Sequence, residues 1–456
     1  MTGIPELVRV RSVPGGRERE ARFMALVEVD DIEFGAPQPD KIHAFSIDAP
    51  RIGSRNVYDI ELAGWVLGID QPVREIEIHQ GGVVIRKAPL DQERPDVARD
   101  YPNAPGSGTS GFRTWVSVIG LEPGANLQVR AVLADGTRGR LGSIALRHQP
   151  VQSGFEPRLQ PLMLTTMGRA GTTWTMRLLS EHPEIVVHRW HPYELRTARY
   201  WWHMLKTLSE PRDPYHSAQA DRFQTNKQWV GYNPFYPEPI AVTPGLGEWM
   251  GRDYVEDLAR FCQRSAEETY LRIAAGQGQP NVKYMAEKHR ADNLPWLVWE
   301  LYPRAKEIFL VRDFRDVYSS MLAYNEKFGR RAFGPDHIET DADFASFLRN
   351  STIRNLSRSW PKRQDRAHLI RYEDLINRPA ETLHGVLTYL ELDASNATVD
   401  GMIDRASAEN PEMKRHLTSS DVSTSLGRWK SSLSPELQSV ANSAFGDVLQ
   451  QFGYQI

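Results

Sequence analysis

Two segments of this chain carry residue types suited to holding an anion. In Thr166-Met167-Gly168-Arg169-Ala170-Gly171-Thr172-Thr173-Trp174, the apolar run Pro161–Thr166 enters a small-residue loop and then a helical stretch, Thr172–Glu181. Glycines let backbone approach an anion, and amide N–H groups at a helix start point at it. Thr172 and Thr173 add hydroxyl donors, and Arg169 adds a fixed positive charge. An ordinary strand–turn–helix connection shares this outline. The loop lacks the Gly-Lys-Ser/Thr ending of a Walker A sequence, which weighs against a nucleotide kinase. In Ile308-Phe309-Leu310-Val311-Arg312-Asp313-Phe314-Arg315-Asp316, continuing to Ser320, an apolar strand again ends in a polar turn. Arg312 stands at its carboxyl end, where open α/β sheets bind ligands, and Ser320 follows inside the next helix. Asp313 and Asp316 suit a helix cap or ion pairs with neighbouring arginines.

The elements that must position these residues alternate. Short apolar strands at Pro161–Thr166, Lys306–Val311 and Ala367–Tyr372 are separated by helical patterns at Thr172–Glu181, Tyr193–Leu208, Tyr254–Ala275, Asp316–Lys327 and Asp341–Arg358. That alternation predicts an α/β fold with a mainly parallel sheet flanked by helices over 160–456. The first third reads differently. Tyr58–Leu67, Arg74–His79, Val83–Arg86, Phe112–Ile119, Asn126–Leu133 and Leu141–Arg147 are short strand-like runs, with turn signals at Gln80-Gly81-Gly82 and Asp135-Gly136. They predict an all-β sandwich over 46–150, with Pro89–Ser110 as a long loop. Residues 1–45 read as a mixed N-terminal segment with a basic opening, and 151–159 as a polar linker.

Composition bounds the rest. The 456 residues suit two or three domains. The formal charge of −3 argues against non-specific binding to nucleic acid or an anionic membrane, yet leaves room for a local basic pocket. No apolar run approaches the ~20 residues of a membrane span, and Met1–Gly16 lacks a secretory core, so a cytoplasmic protein is expected. The single cysteine, Cys262, lies in an amphipathic helical stretch and reads as a buried core residue.

Taken together, the two anion segments resemble those of sulfotransferases that use 3′-phosphoadenosine 5′-phosphosulfate (PAPS). That family has a Lys/Arg-x-Gly-Thr-Thr loop followed by an Arg-Asp segment with a serine at this spacing. Glu287-Lys288, Arg371-Tyr372-Glu373-Asp374-Leu375 and Gly427-Arg428-Trp429-Lys430 add to the resemblance, which spans about 160–452. Arg169 in place of a lysine, and Ser180-Glu181-His182-Pro183-Glu184-Ile185 after the loop, are closer to the tyrosylprotein and bacterial or carbohydrate branches.

The resemblance implies roles. Arg169, Ala170, Gly171, Thr172 and Thr173 would hold the 5′-phosphosulfate; Arg312 and Ser320 the 3′-phosphate; Tyr372, Arg428 and Lys430 would complete the donor site; Trp174 and Trp429 would contact adenine. Lys288 would assist the leaving group. Glu194 is the first candidate for the base, and His191 the second. Glu194 is expected in the first turn of its helix, favoured by the helix dipole. His188, His191 and Glu194 recur every third residue, but Pro192 breaks a shared helical face and the chemistry asks for no metal. The acceptor would be a hydroxyl, with a glycan or glycolipid among the candidates. Tyr200, Trp201, Trp202 and Trp190 would line its pocket or the core. The β domain would bind, dock or oligomerise, and a homodimer is compatible. A P-loop phosphotransferase and a non-catalytic nucleotide- or glycan-binding protein are the alternative readings.

Overall fold

A computed structural model describes residues 26–35, 38, 40–209, 245–246, 249–291, 296–329, 332–335, 338–407 and 425–456. The N-terminal part is antiparallel. Strands β1 (Val27–Phe34), β2 (Ile42–Ala49), β3 (Arg55–Asn56), β4 (Asp59–Gly68), β5 (Val73–Gln80), β6 (Val83–Pro89), β7 (Gly111–Ser117), β8 (Asn126–Leu133) and β9 (Arg138–His148) form two sheets. Their orders are β3-β1-β9-β8-β5-β6 and β2-β4-β7. Alternation along β4 sends Ile60, Leu62 and Val66 inward, where they meet Ile76, Ile78, Leu127 and Val129 of the larger sheet. The β5–β6 hairpin turns through Gly81 and Gly82 at φ 57 and 86, the left-handed pair that a tight hairpin needs.

The sandwich begins earlier than expected, because β1 and part of β2 lie inside the segment read as a separate N-terminus. Register shifts at Val29/Asp31, Ile42/Ala44 and Ile47/Ala49 interrupt the period of two and hide both strands in the sequence. The expected loop Pro89–Ser110 contains a short helix, Pro95–Asp100, opened by its proline. The connector is not loose either. Val151 N donates to Glu300 at 2.6 Å, Ser153 Oγ to Gln263 at 2.5 Å and Arg158 N to Glu267 at 2.5 Å.

The C-terminal part is a five-stranded parallel sheet, order β11-β12-β10-β13-β14, flanked by helices. Its strands are β10 (Gln160–Thr166), β11 (Ile185–Val186), β12 (Tyr284–Arg290), β13 (Lys306–Val311) and β14 (Ala367–Arg371). The principal helices are α1 (Thr172–Ser180), α2 (Thr197–Ser209), α3 (Tyr254–Gly276), α4 (Phe314–Phe328) and α5 (Pro435–Gln451). The helix expected over Asp341–Arg358 is broken by a π turn at Arg349–Ile353. Leu26, Tyr58 and Ile119 of the sandwich share a core with Cys262, Trp299 and Tyr302, so the two parts pack directly. Cys262 is fully buried and its thiol is pushed up to about 11 by desolvation, a structural residue. Among the described residues, no helix is long and apolar enough to cross a membrane.

Candidate active site

The site gathers at the carboxyl ends of β10, β12 and β13. After β10 the chain turns through Arg169 and Gly171, at φ 66 and 89. Gly171 caps α1, and a Cβ there would lie 2.1 Å from the Tyr372 ring, so only glycine fits. Thr175 N donates to Gly171 O at 3.1 Å, which places the amides of Thr172, Thr173 and Trp174 ahead of the first helical hydrogen bond. Ala170 is wholly buried, leaving its backbone as the part suited to a ligand. Trp174 is half-buried and packs against the core that contains Leu162 and Met176.

Arg312, at the end of β13, is buried. It donates from Nη1 to Arg169 O at 3.0 Å and from Nη2 to Ser425 O at 2.6 Å, with its guanidinium 4.8 Å from the Tyr372 ring centroid. Arg169 donates from Nε to Ser320 Oγ at 3.0 Å and lies 5.0 Å from the Tyr324 ring centroid. The two anion motifs are therefore one connected cluster. Burial, and next the Arg312 charge, push the Arg169 pKa down, and Arg428 adds to that repulsion.

The acids of the second motif organise the cluster. Asp313 accepts from Arg315 N at 2.9 Å, capping α4, and binds the Arg315 guanidinium at 2.7 Å. Asp316 accepts from Gly427 N at 2.7 Å and Trp429 N at 2.9 Å, fixing the C-terminal loop over α4. Trp429 is buried, with the Arg315 guanidinium 4.1 Å from its ring centroid, so that ring face is taken by protein rather than open to adenine. Lys430 was expected to converge with Arg169, Lys288 and Arg312. It is exposed, with its Nζ 5.8 Å from the Trp429 ring centroid.

On β12, Lys288 is buried and donates to Pro192 O at 2.6 Å and Thr173 Oγ1 at 3.2 Å; Glu194 Oε1 is 3.5 Å away. Desolvation pushes its pKa down to about 8 against the pull of Glu194. Glu194 is exposed and precedes α2 instead of beginning it, because Tyr193 at φ 64 delays the helix to Thr197. The expected dipole stabilisation therefore does not apply. Glu287 instead serves the helix start, accepting from Ala198 N at 2.6 Å, Arg199 N at 3.1 Å and Tyr270 Oη at 2.5 Å. His191 meets Tyr193 edge-on, with ring centroids 6.4 Å apart. Trp202 is core and Trp201 packs against it, whereas Trp190 and Tyr200 are exposed. Among the described residues no group of three acids, histidines or cysteines could hold a metal. Residues 210–244, which follow α2, lie outside the described residues.

Sequence reasoning missed Tyr324, Ser425 and the strand character of β12. Tyr324 sits one helical turn after Ser320, a spacing that would have found it. Ser425 acts through its carbonyl oxygen, which no side-chain pattern reveals.

A family model described as the sulfotransferase family matches residues 161–396. Among solved structures, the chain is similar to the sulfotransferase domain from the curacin biosynthetic pathway, with 13% identity, 66% of this chain and 100% of that chain covered, and a TM-score of 0.40. It is also similar to sulfotransferase STF9 from Mycobacterium avium, with 13% identity, 67% and 80% covered, and a TM-score of 0.35. For mouse sulfotransferase SULT7A1 complexed with PAP, identity is 15%, coverage 65% and 87%, and the TM-score 0.35. No curated protein matches.

Proposed function

The chain belongs to the sulfotransferase family, and on that premise we propose that it moves a sulfuryl group from PAPS to a hydroxyl of a glycan, glycolipid or other large acceptor. The observation that carries this reading is the meeting of Arg169, Arg312 and Lys288 at one sheet edge, with the Glu194 carboxylate 3.5 Å from the lysine. The cluster suits a doubly phosphorylated donor. Gly171 lets the loop close against the Tyr372 ring, Arg169 and Thr173 would flank a phosphate bound at the loop amides, and the buried Arg312 Nε has no hydrogen-bond partner among the described residues. Tyr372 stacks beneath Arg312 and orients it.

The donor supplies the sulfuryl group and leaves as 3′-phosphoadenosine 5′-phosphate (PAP). Glu194 takes the proton of the acceptor hydroxyl as its oxygen bonds to sulfur. The bond from sulfur to the bridging oxygen breaks, and its electron pair stays on the 5′-phosphate. Arg169 and the loop amides stabilise that charge, and Lys288 delivers a proton or a hydrogen bond to the departing oxygen. The bound geometry supplies the alignment. The adjoining β-sandwich favours a large acceptor, for which it would be a docking module.

Calorimetry with PAP, followed by a glycan and glycolipid panel read by mass spectrometry for an added sulfuryl group, tests both halves. Tight PAP binding and a sulfated glycan product are expected. Absent PAP binding overturns the donor assignment, and turnover confined to small phenols overturns the acceptor assignment.

A further inference from the structure

Two further arginines stand close in sequence to the Lys288–Glu194 pair. Arg196 follows Glu194 by two residues and immediately precedes α2. Its Nε is walled off from solvent and has no hydrogen-bond partner among the described residues. Arg290 ends β12, two positions beyond Lys288 and so on the same strand face, and pairs in register with Thr166 where the anion loop begins. It is exposed. The nearby acids are already committed: both Glu287 oxygens accept from Ala198 N, Arg199 N and Tyr270 Oη, and Glu194 faces Lys288. The field is felt locally. Desolvation is the main cause that disfavours the charged forms of Lys288 and His289; next, Arg199 and then Arg196 act on His289, and Arg196 also acts on Lys288.

We propose that Arg196 and Arg290 form an anion subsite next to Glu194, so that the hydroxyl to be sulfated belongs to an acceptor that also carries an anionic group. This rests on the sulfotransfer reading of the same site and narrows its acceptor. A neutral sugar gives these guanidinium groups nothing to pair with, whereas a carboxylate or phosphate a few atoms from the reacting hydroxyl would pair with them and aim that hydroxyl at Glu194. The subsite would also bring such acceptors in by long-range attraction, which salt weakens.

The test titrates full-length protein, first saturated with PAP, with three probes: glucuronate, glucose 6-phosphate and glucose. PAP occupancy keeps the probes out of the donor's phosphate contacts. Glucuronate or glucose 6-phosphate should bind and glucose should not. The two anionic arms separate a carboxylate from a phosphate. Arg196→Ala and Arg290→Ala should each weaken the bound anion about tenfold while leaving PAP affinity within about twofold. Arg196→Lys, which keeps the charge, should recover part of the loss. The proposal is overturned if neither anion binds the PAP-loaded protein. It is also overturned if binding survives both alanine substitutions, or if those substitutions weaken PAP as strongly, which would assign the arginines to the donor. A protein that binds no PAP at all instead removes the sulfotransfer reading on which the subsite depends.

Discussion

The β-sandwich and the sheet edge that carries the site treat their cations in opposite ways. In the sandwich, several arginines end on carboxylates: Arg138 on Glu77 at 2.9 Å, Arg94 on Asp96 at 2.6 Å and Asp48 at 2.9 Å, Arg147 on Asp30 at 2.8 Å. Buried Glu77 is held well below the usual carboxylate range, first by Arg138 and then by Lys87 and His79. At the site, two cations end chiefly on carbonyls, although Arg315 pairs with Asp313. Arg312 binds Arg169 O and Ser425 O, and Lys288 binds Pro192 O at 2.6 Å with Glu194 at 3.5 Å. A carbonyl satisfies the donor without cancelling its charge, so the hydrogen-bond demand is met while the field survives. The lesson is that counting partners does not locate a binding site, whereas asking which partners are neutral does.

Breaking this contrast should have graded effects. The largest is expected on turnover: Arg169→Ala should lower kcat about 10²–10³-fold, as losing a transition-state charge donor does. Arg138→Ala in the sandwich should leave initial rates unchanged; equal losses would remove the contrast. Next in size, Arg312→Ala should raise the PAP dissociation constant about a hundredfold by calorimetry, roughly 3 kcal/mol, while Arg94→Ala leaves it unaltered.

The third effect depends on pH. With its pKa near 8, Lys288 loses its proton above that value, so kcat should fall about fivefold from pH 8 to 9. Lys288→Arg should abolish that limb of the profile, and an unmoved limb would assign it to another group. The same lysine acts oppositely on folding. Between about 8 and 10.5 the unfolded chain holds the extra proton, so its contribution to stability rises with pH across the window where activity falls.

The smallest effect concerns the joint between the two regions. Glu300 accepts from Gly120 N of the sandwich at 3.1 Å and from Val151 N of the connector, and burial pushes its pKa up to about 7. Folded protein therefore binds its proton more readily than unfolded chain between about 4.5 and 7, and stability from this group falls as pH rises through that window. Glu300→Gln should flatten that slope in urea titrations while costing about 1 kcal/mol or less. An unchanged slope would show that the joint does not titrate.

How much of this could be read from the chain follows the same divide between side chains and backbone. β10, β13 and β14 were legible because most of their buried residues are apolar, even though β13 also buries Glu307 against Arg363. β12 was not, since Glu287, Lys288 and His289 are buried within a strand and only their partners make that tolerable. Glu194 and Lys288 were both named, but the turn at Tyr193 that brings them together is a backbone conformation with no side-chain signature. Lys430 shows the converse: a residue inside a matching motif that stays exposed, its Nζ 5.8 Å from the Trp429 ring centroid.

Arg169 carries one further consequence. A residue with a β-carbon at φ 66 sits in a backbone region that glycine enters freely and that costs others about 1 kcal/mol or more. The loop thus holds the chain slightly short of the heat resistance it could reach. A selection for thermostability alone would be drawn to replace this arginine with glycine, and would take away with the strain the charge proposed to steady the departing phosphate.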